Sequence, residues 1–165
     1  MMSFQPFRKI VMTFILILIL TGIFFLPVRA LVISQGDSAI YTFLVAEKRF
    51  SLKWIHSVEK EVWVENFRIE GQHIFLESTH FKTFGAGTPS TSEQPIKLKN
   101  GWLHLDVNRN IGASLIVRAT MNNNYQLIIK GEKYPLVESN ISYRIEEKTT
   151  TMIKVVFSAV KRLFY

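Results

Sequence analysis

Between Leu31 and Thr151 the chain never sustains a helical apolar period. It is cut instead into short runs rich in β-branched and aromatic residues, separated by turn formers, and that pattern restricts it to an all-β architecture. The runs are Leu31–Ser34, Ile40–Glu47, Phe50–Val58, Val62–Glu70, His73–Lys82, Ile96–Lys99, Trp102–Asp106, Leu115–Met121, Tyr125–Lys130 and Ile141–Glu146. Asn100-Gly101 lies between alternating Ile96/Leu98 and Leu103/Leu105 and marks a hairpin, because a type I′ turn needs positive φ at both central residues. Gly71-Gln72 suits a type II′ turn, and Asn122-Asn123-Asn124 a longer polar loop. The expected fold is an antiparallel β-sandwich or partly open barrel, with the strand order left open.

The two ends differ from this body. Ile10–Leu26 carries no charge, is preceded by Arg8 and Lys9, and is closed by Pro27 and Arg29. As a helix it spans about 25 Å against a hydrocarbon core of ~30 Å. Two readings compete. One is a retained transmembrane anchor; the other is a signal peptide cleaved after Val28-Arg29-Ala30. Either way the basic pair keeps the N-terminus in the cytoplasm and places the β-domain outside it. The expected localisation is a single-pass cell-membrane protein, with a secreted or periplasmic form as the alternative. At the other end, residues 152–165 read as a basic amphipathic helix with Lys154, Ser158, Lys161 and Arg162 on one side, or as a last strand, since Ile153, Val155 and Phe157 also alternate. The expected organisation is a stub and signal-anchor over 1–30, an extracytoplasmic β-domain over 31–148 and a tail over 149–165.

Charge and composition narrow the function classes. The chain has no cysteine, which excludes a disulfide framework, a thiolate metal site, a cysteine nucleophile and a lipoprotein anchor. Its net charge is +7, but all 13 acids lie between Asp37 and Glu147 while both ends are basic. A near-neutral body with basic ends fits a membrane surface, not a nucleic-acid backbone. Gly85-Ala86-Gly87-Thr88-Pro89 lacks the Gly-Lys-Ser/Thr ending of a phosphate loop and precedes no helix. No cofactor motif is present.

Strand parity gives the sharpest local expectation. Phe50, Leu52, Trp54, His56 and Val58 share one face of their strand, and Trp63, Glu65, Phe67 and Ile69 share one face of theirs. A two-residue turn at Lys60-Glu61 pairs His56 with Glu65, and the Gly71-Gln72 turn then pairs Glu65 with Ser78 and Trp63 with His80. His56, Glu65, Ser78 and His80 are thus expected to cluster on an apolar face. Such a cluster reads first as a buried polar network that fixes register. A metal site from His56, His80 and Glu65 is the second reading. A Ser–His–Glu hydrolase is weaker, since no nucleophile elbow is present, and a small-ligand pocket completes the set.

The run Trp54-Ile55-His56-Ser57-Val58-Glu59-Lys60, then Glu65, Gly85-Ala86-Gly87-Thr88-Pro89, Gly101-Trp102 and Gly131-Glu132-Lys133-Tyr134-Pro135-Leu136 resembles the bacterial domain of unknown function 1850 family over about residues 31–136. The family motif falls on His56, Ser57, Glu59, Glu65, Gly85, Gly87 and Pro89, and no catalytic role comes with it. Members are typically encoded beside TAXI-type TRAP transporters. The resemblance therefore implies an accessory role, with the cytoplasmic membrane, a TRAP permease or its TAXI substrate-binding protein as partners and no nucleic acid. The leading expectation is a membrane-tethered, non-enzymatic β-domain that assists uptake by docking or ligand handling. The alternatives are an extracytoplasmic metal-dependent hydrolase using His56, His80 and Glu65, and a module binding a small acid or lipid through Trp54, Trp63 and Phe67.

Overall fold

The computed structural model describes residues 5–44, 46, 48–84, 95–137 and 139–164. The uncharged N-terminal run lies within helix α1 (Gln5–Phe24). Its stretch Phe7–Phe24 has a mean hydropathy of 2.1, is long and apolar enough to cross a membrane, and is buried nowhere along its length. Only Phe25 and Leu26 separate α1 from β1 (Pro27–Gln35).

The strands that follow are β2 (Ser38–Phe43), β3 (Arg49–Ile55), β4 (Val62–Glu70), β5 (His73–Phe81), β6 (Lys97–Lys99), β7 (Trp102–Gly112), β8 (Ser114–Val117), β9 (Gln126–Ile129), β10 (Glu132–Pro135) and β11 (Tyr143–Thr151), and helix α2 (Met152–Lys161) comes last. They form two antiparallel sheets, a four-stranded one in the order β2-β1-β11-β8 and a seven-stranded one in the order β10-β9-β3-β4-β5-β7-β6. The sheets share one core. Leu31, Ile33, Phe43, Val117, Tyr143 and Ile145 from the smaller sheet join Phe50, Leu52, Phe67, Ile69, Ile74, Leu76, Leu127 and Ile129 from the larger. This is the expected sandwich, and neither sheet closes into a barrel.

Turn chemistry works as expected where backbone handedness is at stake. Asn100 and Gly101 both take positive φ (53° and 75°) and join Lys99 to its partner Trp102. Lys130 and Gly131 do the same (52° and 86°) between Ile129 and Glu132. Positive φ at both central residues matches the right-handed twist of the flanking strands.

The expected domain boundaries at 30/31 and 148/149 fall inside strands. β1 pairs with β11 along its whole length, from Pro27↔Thr151 to Gln35↔Tyr143. Its inward residues Leu31 and Ile33 enter the core, while Ala30 and Val32 pack on the other side against Val155 of α2. A strand covered on both faces reads as a continuous apolar run, and its alternation is lost to view.

Candidate functional site

The core face of the seven-stranded sheet carries a row of aromatic rings. Trp54 of β3 lies opposite Trp63 of β4 in the ladder, and their rings stack at 6.0 Å. Tyr125, just before β9, stacks on Trp54 at 5.3 Å with planes 14° apart. On the other side Trp63 stacks on Phe81 of β5 at 4.8 Å. Opposed aromatics on neighbouring strands account for the row, because facing side chains share a face. Trp63 is fixed further by its indole N–H, which donates to Thr79 Oγ1 at 2.6 Å.

His56 caps this row. Its ring stacks on Trp63 at 5.3 Å, and its Nδ1 pairs with the Glu59 carboxylate. The β3–β4 connection is a four-residue turn, Ser57-Val58-Glu59-Lys60, closed by His56 N–H donating to the Glu61 carbonyl (2.8 Å) and Lys60 N–H donating to the His56 carbonyl (3.0 Å). Lys60 takes φ 56°. Glu61 is held in turn by the Thr83 hydroxyl, which donates to its carboxylate at 2.9 Å.

This turn corrects the expected register. With Trp54 opposite Trp63, Leu52 lies opposite Glu65, so His56 and Glu65 do not face each other. Parity survives, and Glu65 stays on the core face beside the aromatic row. Glu65 makes no hydrogen bond among the described residues, and burial pushes its carboxyl up to about 7, opposed by the positive charge of Arg109. Tyr125 is its neighbour, and the Tyr125 phenol is itself raised, by burial first and by the Glu65 charge second.

The expected four-residue cluster is divided by a bulge. β4 and β5 pair as expected at Ile69↔Ile74 and Phe67↔Leu76, then the register shifts, so that Ser78 faces Asn66 and His80 faces Val64. One extra residue on a strand turns all that follow to the other face. Ser78 and His80 therefore lie on the outer face, and His56, His80 and Glu65 are not brought together. Phe67 is buried in the core at 1% exposure rather than lining a surface pocket.

On that outer face Ser78 and His80 join a different polar row. Ser51 Oγ donates to Asn66 Oδ1 (2.7 Å), Asn66 Nδ2 donates to Ser78 Oγ (3.0 Å), and Ser78 Oγ lies 3.3 Å from His80 Nε2. His104 of β7 follows, its ring 4.1 Å from that of His80. Burial and the neighbouring His104 hold His80 below the usual imidazole range. Beside the two histidines is an open hollow of about 370 Å³ lined by Val64, His80, Lys99, Asn100, Trp102 and His104. Sequence reasoning missed His104 and Trp102 here, although a signal was available: Ile74 and Leu76 are apolar at even positions and Phe81 at an odd one, so a bulge must lie between them. Ser57 is exposed at the turn, and Gly85, Gly87 and Pro89 lie outside the described residues.

The family model described as Domain of unknown function (DUF1850) matches residues 50–136, more than half of the chain. The chain belongs to this family. No curated protein and no solved structure matches it. The DUF1850 match runs from the second residue of β3 to one residue past β10 and so takes in the seven-stranded sheet together with β8 of the smaller one. The aromatic row, Glu65, the His56 turn and the outer histidine row all belong to the DUF1850 segment, whereas α1, β1, β2, β11 and α2 lie outside it.

Proposed function

We propose that this DUF1850 protein is a membrane-tethered accessory β-domain outside the cytoplasm, and that it assists a TRAP-type uptake system by docking on the permease or its substrate-binding protein. The observation that carries the docking reading is the aromatic row Tyr125–Trp54–Trp63–Phe81. Trp54 and Tyr125 in it are only partly buried, on a base formed by the buried Trp63 and Phe81, and all four lie within the family segment. Partly exposed Trp and Tyr held rigid by stacking are the residues that anchor protein contacts.

The tether is supported by β1. A signal-peptidase cut after Ala30 would remove the Pro27–Ala30 end of a central strand, and with it four rungs of the β1–β11 ladder. Ala30 itself is 1% exposed. A retained α1 keeps that ladder whole. Intact mass of the protein recovered from membranes reads this directly, and a mass lacking residues 1–30 would remove the tether.

The docking role is tested by in-cell crosslinking of a tagged full chain followed by identification of the retained proteins. The expected result is capture of a TRAP permease or TAXI binding protein by the wild type and its loss in Trp54→Ala. Failure to retain either one, from cells that express both, would overturn the reading.

A further inference from the structure

Helix α2 sits against the β-domain by its polar side. Val155 packs on Ala30 and Val32, Thr42 N–H donates to Ser158 Oγ at 2.9 Å, and Arg162 donates to the Thr42 carbonyl at 3.0 Å. The Arg162 guanidinium also lies over the Phe43 ring at 4.2 Å. Because Ser158 and Arg162 face inward, the apolar side faces out. Ile153, Val156, Phe157, Val160, Leu163 and Phe164 are all exposed, Phe157 by 60% and Phe164 by 80%. At 3.6 residues per turn Ile153, Val156, Phe157 and Val160 form one stripe, and Leu163 and Phe164 follow in the turn that closes the helix. The stripe is bordered by the exposed Lys154 and Lys161, and the Lys161 ammonium lies 4.8 Å from the Phe157 ring centroid.

We infer that this stripe is inserted into the lipid bilayer next to α1, so that the domain touches the membrane at two elements rather than one. The inference rests on the retained α1 of the proposed function. Position commits it to lipid. Met152 N–H donates to the Leu26 carbonyl at 3.2 Å, so α2 begins where the membrane-crossing helix ends. Charge agrees, since α2 carries no acid and its lysines line one edge of the stripe. An apolar face bordered by lysines that reach back to the surface suits the headgroup boundary of an anionic leaflet.

The chain contains no cysteine, so single nitroxide labels can be placed without background. The full chain is inserted, one copy per disc, into nanodiscs of phosphatidylethanolamine and phosphatidylglycerol, with a label at Ile153→Cys, Phe157→Cys, Phe164→Cys or, as the aqueous reference, Leu98→Cys on β6. These sites are exposed, and thermal melts check that each labelled chain remains folded. The expected result is that labels at 153, 157 and 164 lose collisions with a water-soluble nickel reagent and gain collisions with oxygen relative to the label at 98. Equal nickel access at 157 and 98 overturns the inference. So does protection that appears only with two copies per disc, which assigns the stripe to a second chain. Intact mass separates this outcome from failure of the tether, because a cleaved chain is lighter whatever its labels report.

Discussion

Glu65 should make this protein less stable as the solution becomes more alkaline. Its carboxyl titrates near 7 in the folded chain because burial disfavours the anion, while in the unfolded chain it titrates at the ordinary 4.5. A folded-state value above the unfolded one gives stability that is complete below pH 4.5 and is lost as the pH rises through 7. The gap between 4.5 and about 7, at about 1.4 kcal/mol per pH unit, comes to about 3 kcal/mol. Glu65→Gln keeps the shape and cannot ionise. At pH 4 it should match the wild type, and at pH 8 it should be more stable by up to about 3 kcal/mol. Urea melts of the detergent-solubilised full chain, followed by tryptophan fluorescence, measure this. With a slope of about 1–3 kcal/mol per molar urea, the variant's midpoint should exceed the wild type's by about 1–3 M at pH 8. A difference that stays flat with pH, or grows as the pH falls, would refute the reasoning, because it would place the carboxylate in water or in an ion pair.

The corrected turn geometry predicts that His56→Ala and Glu59→Ala are coupled in a double-mutant cycle by about 0.5–3 kcal/mol, whereas His56→Ala and Glu65→Ala add to within about 0.5 kcal/mol. Arg162→Ala should cost about 1.5–3 kcal/mol in the same melts, since it removes a charged hydrogen bond to an edge strand. Arg162→Lys should recover little, because the ammonium cannot reproduce the planar stack over Phe43 and Tyr134. Trp63→Phe should cost about 1–3 kcal/mol by thermal denaturation, for it leaves the buried Thr79 hydroxyl without its indole partner. Gly131→Ala, at φ 86°, should cost about 1–2 kcal/mol, whereas Gly22→Ala, at an ordinary φ with open space around it, should not destabilise.

How much of this was legible depends on whether a structural demand falls on residue identity. The turns at Gly71 and Gly101 were readable because positive φ selects glycine. The turn at Lys60 was not, since a lysine holding φ 56° leaves no mark, and a two-residue connection assumed there displaced Trp54 from Trp63. The face of Glu65 was readable from parity alone. The faces of Ser78 and His80 were not read correctly, because the bulge that turns them is signalled only by Phe81 one position out of phase. Ala30 answers to two demands at once. Its small side chain fits a cleavage motif, and it is also small where Val155 of α2 packs against it. The helix in the tail was one of two readings, and its orientation ran against ordinary amphipathic logic, with the polar side turned inward to occupy the Thr42 backbone.

The ladder between β1 and β11 also sets an order of events. β1 emerges first, directly behind α1, but its partner strand ends at Thr151. Nearly the whole intervening chain must be made before the two can meet, and closing so long a loop is slow because its entropy is spent before any contact rewards it. Until then Leu31, Val32 and Ile33 wait uncovered just behind α1, the kind of apolar segment that sticks to other chains. The seven-stranded sheet, in which β3-β4-β5, β6-β7 and β9-β10 pair between neighbours in the chain, can assemble in the meantime. Biogenesis should therefore run from the middle outward, with the strand nearest the start closing last, and β1 should be the segment on which a folding helper acts.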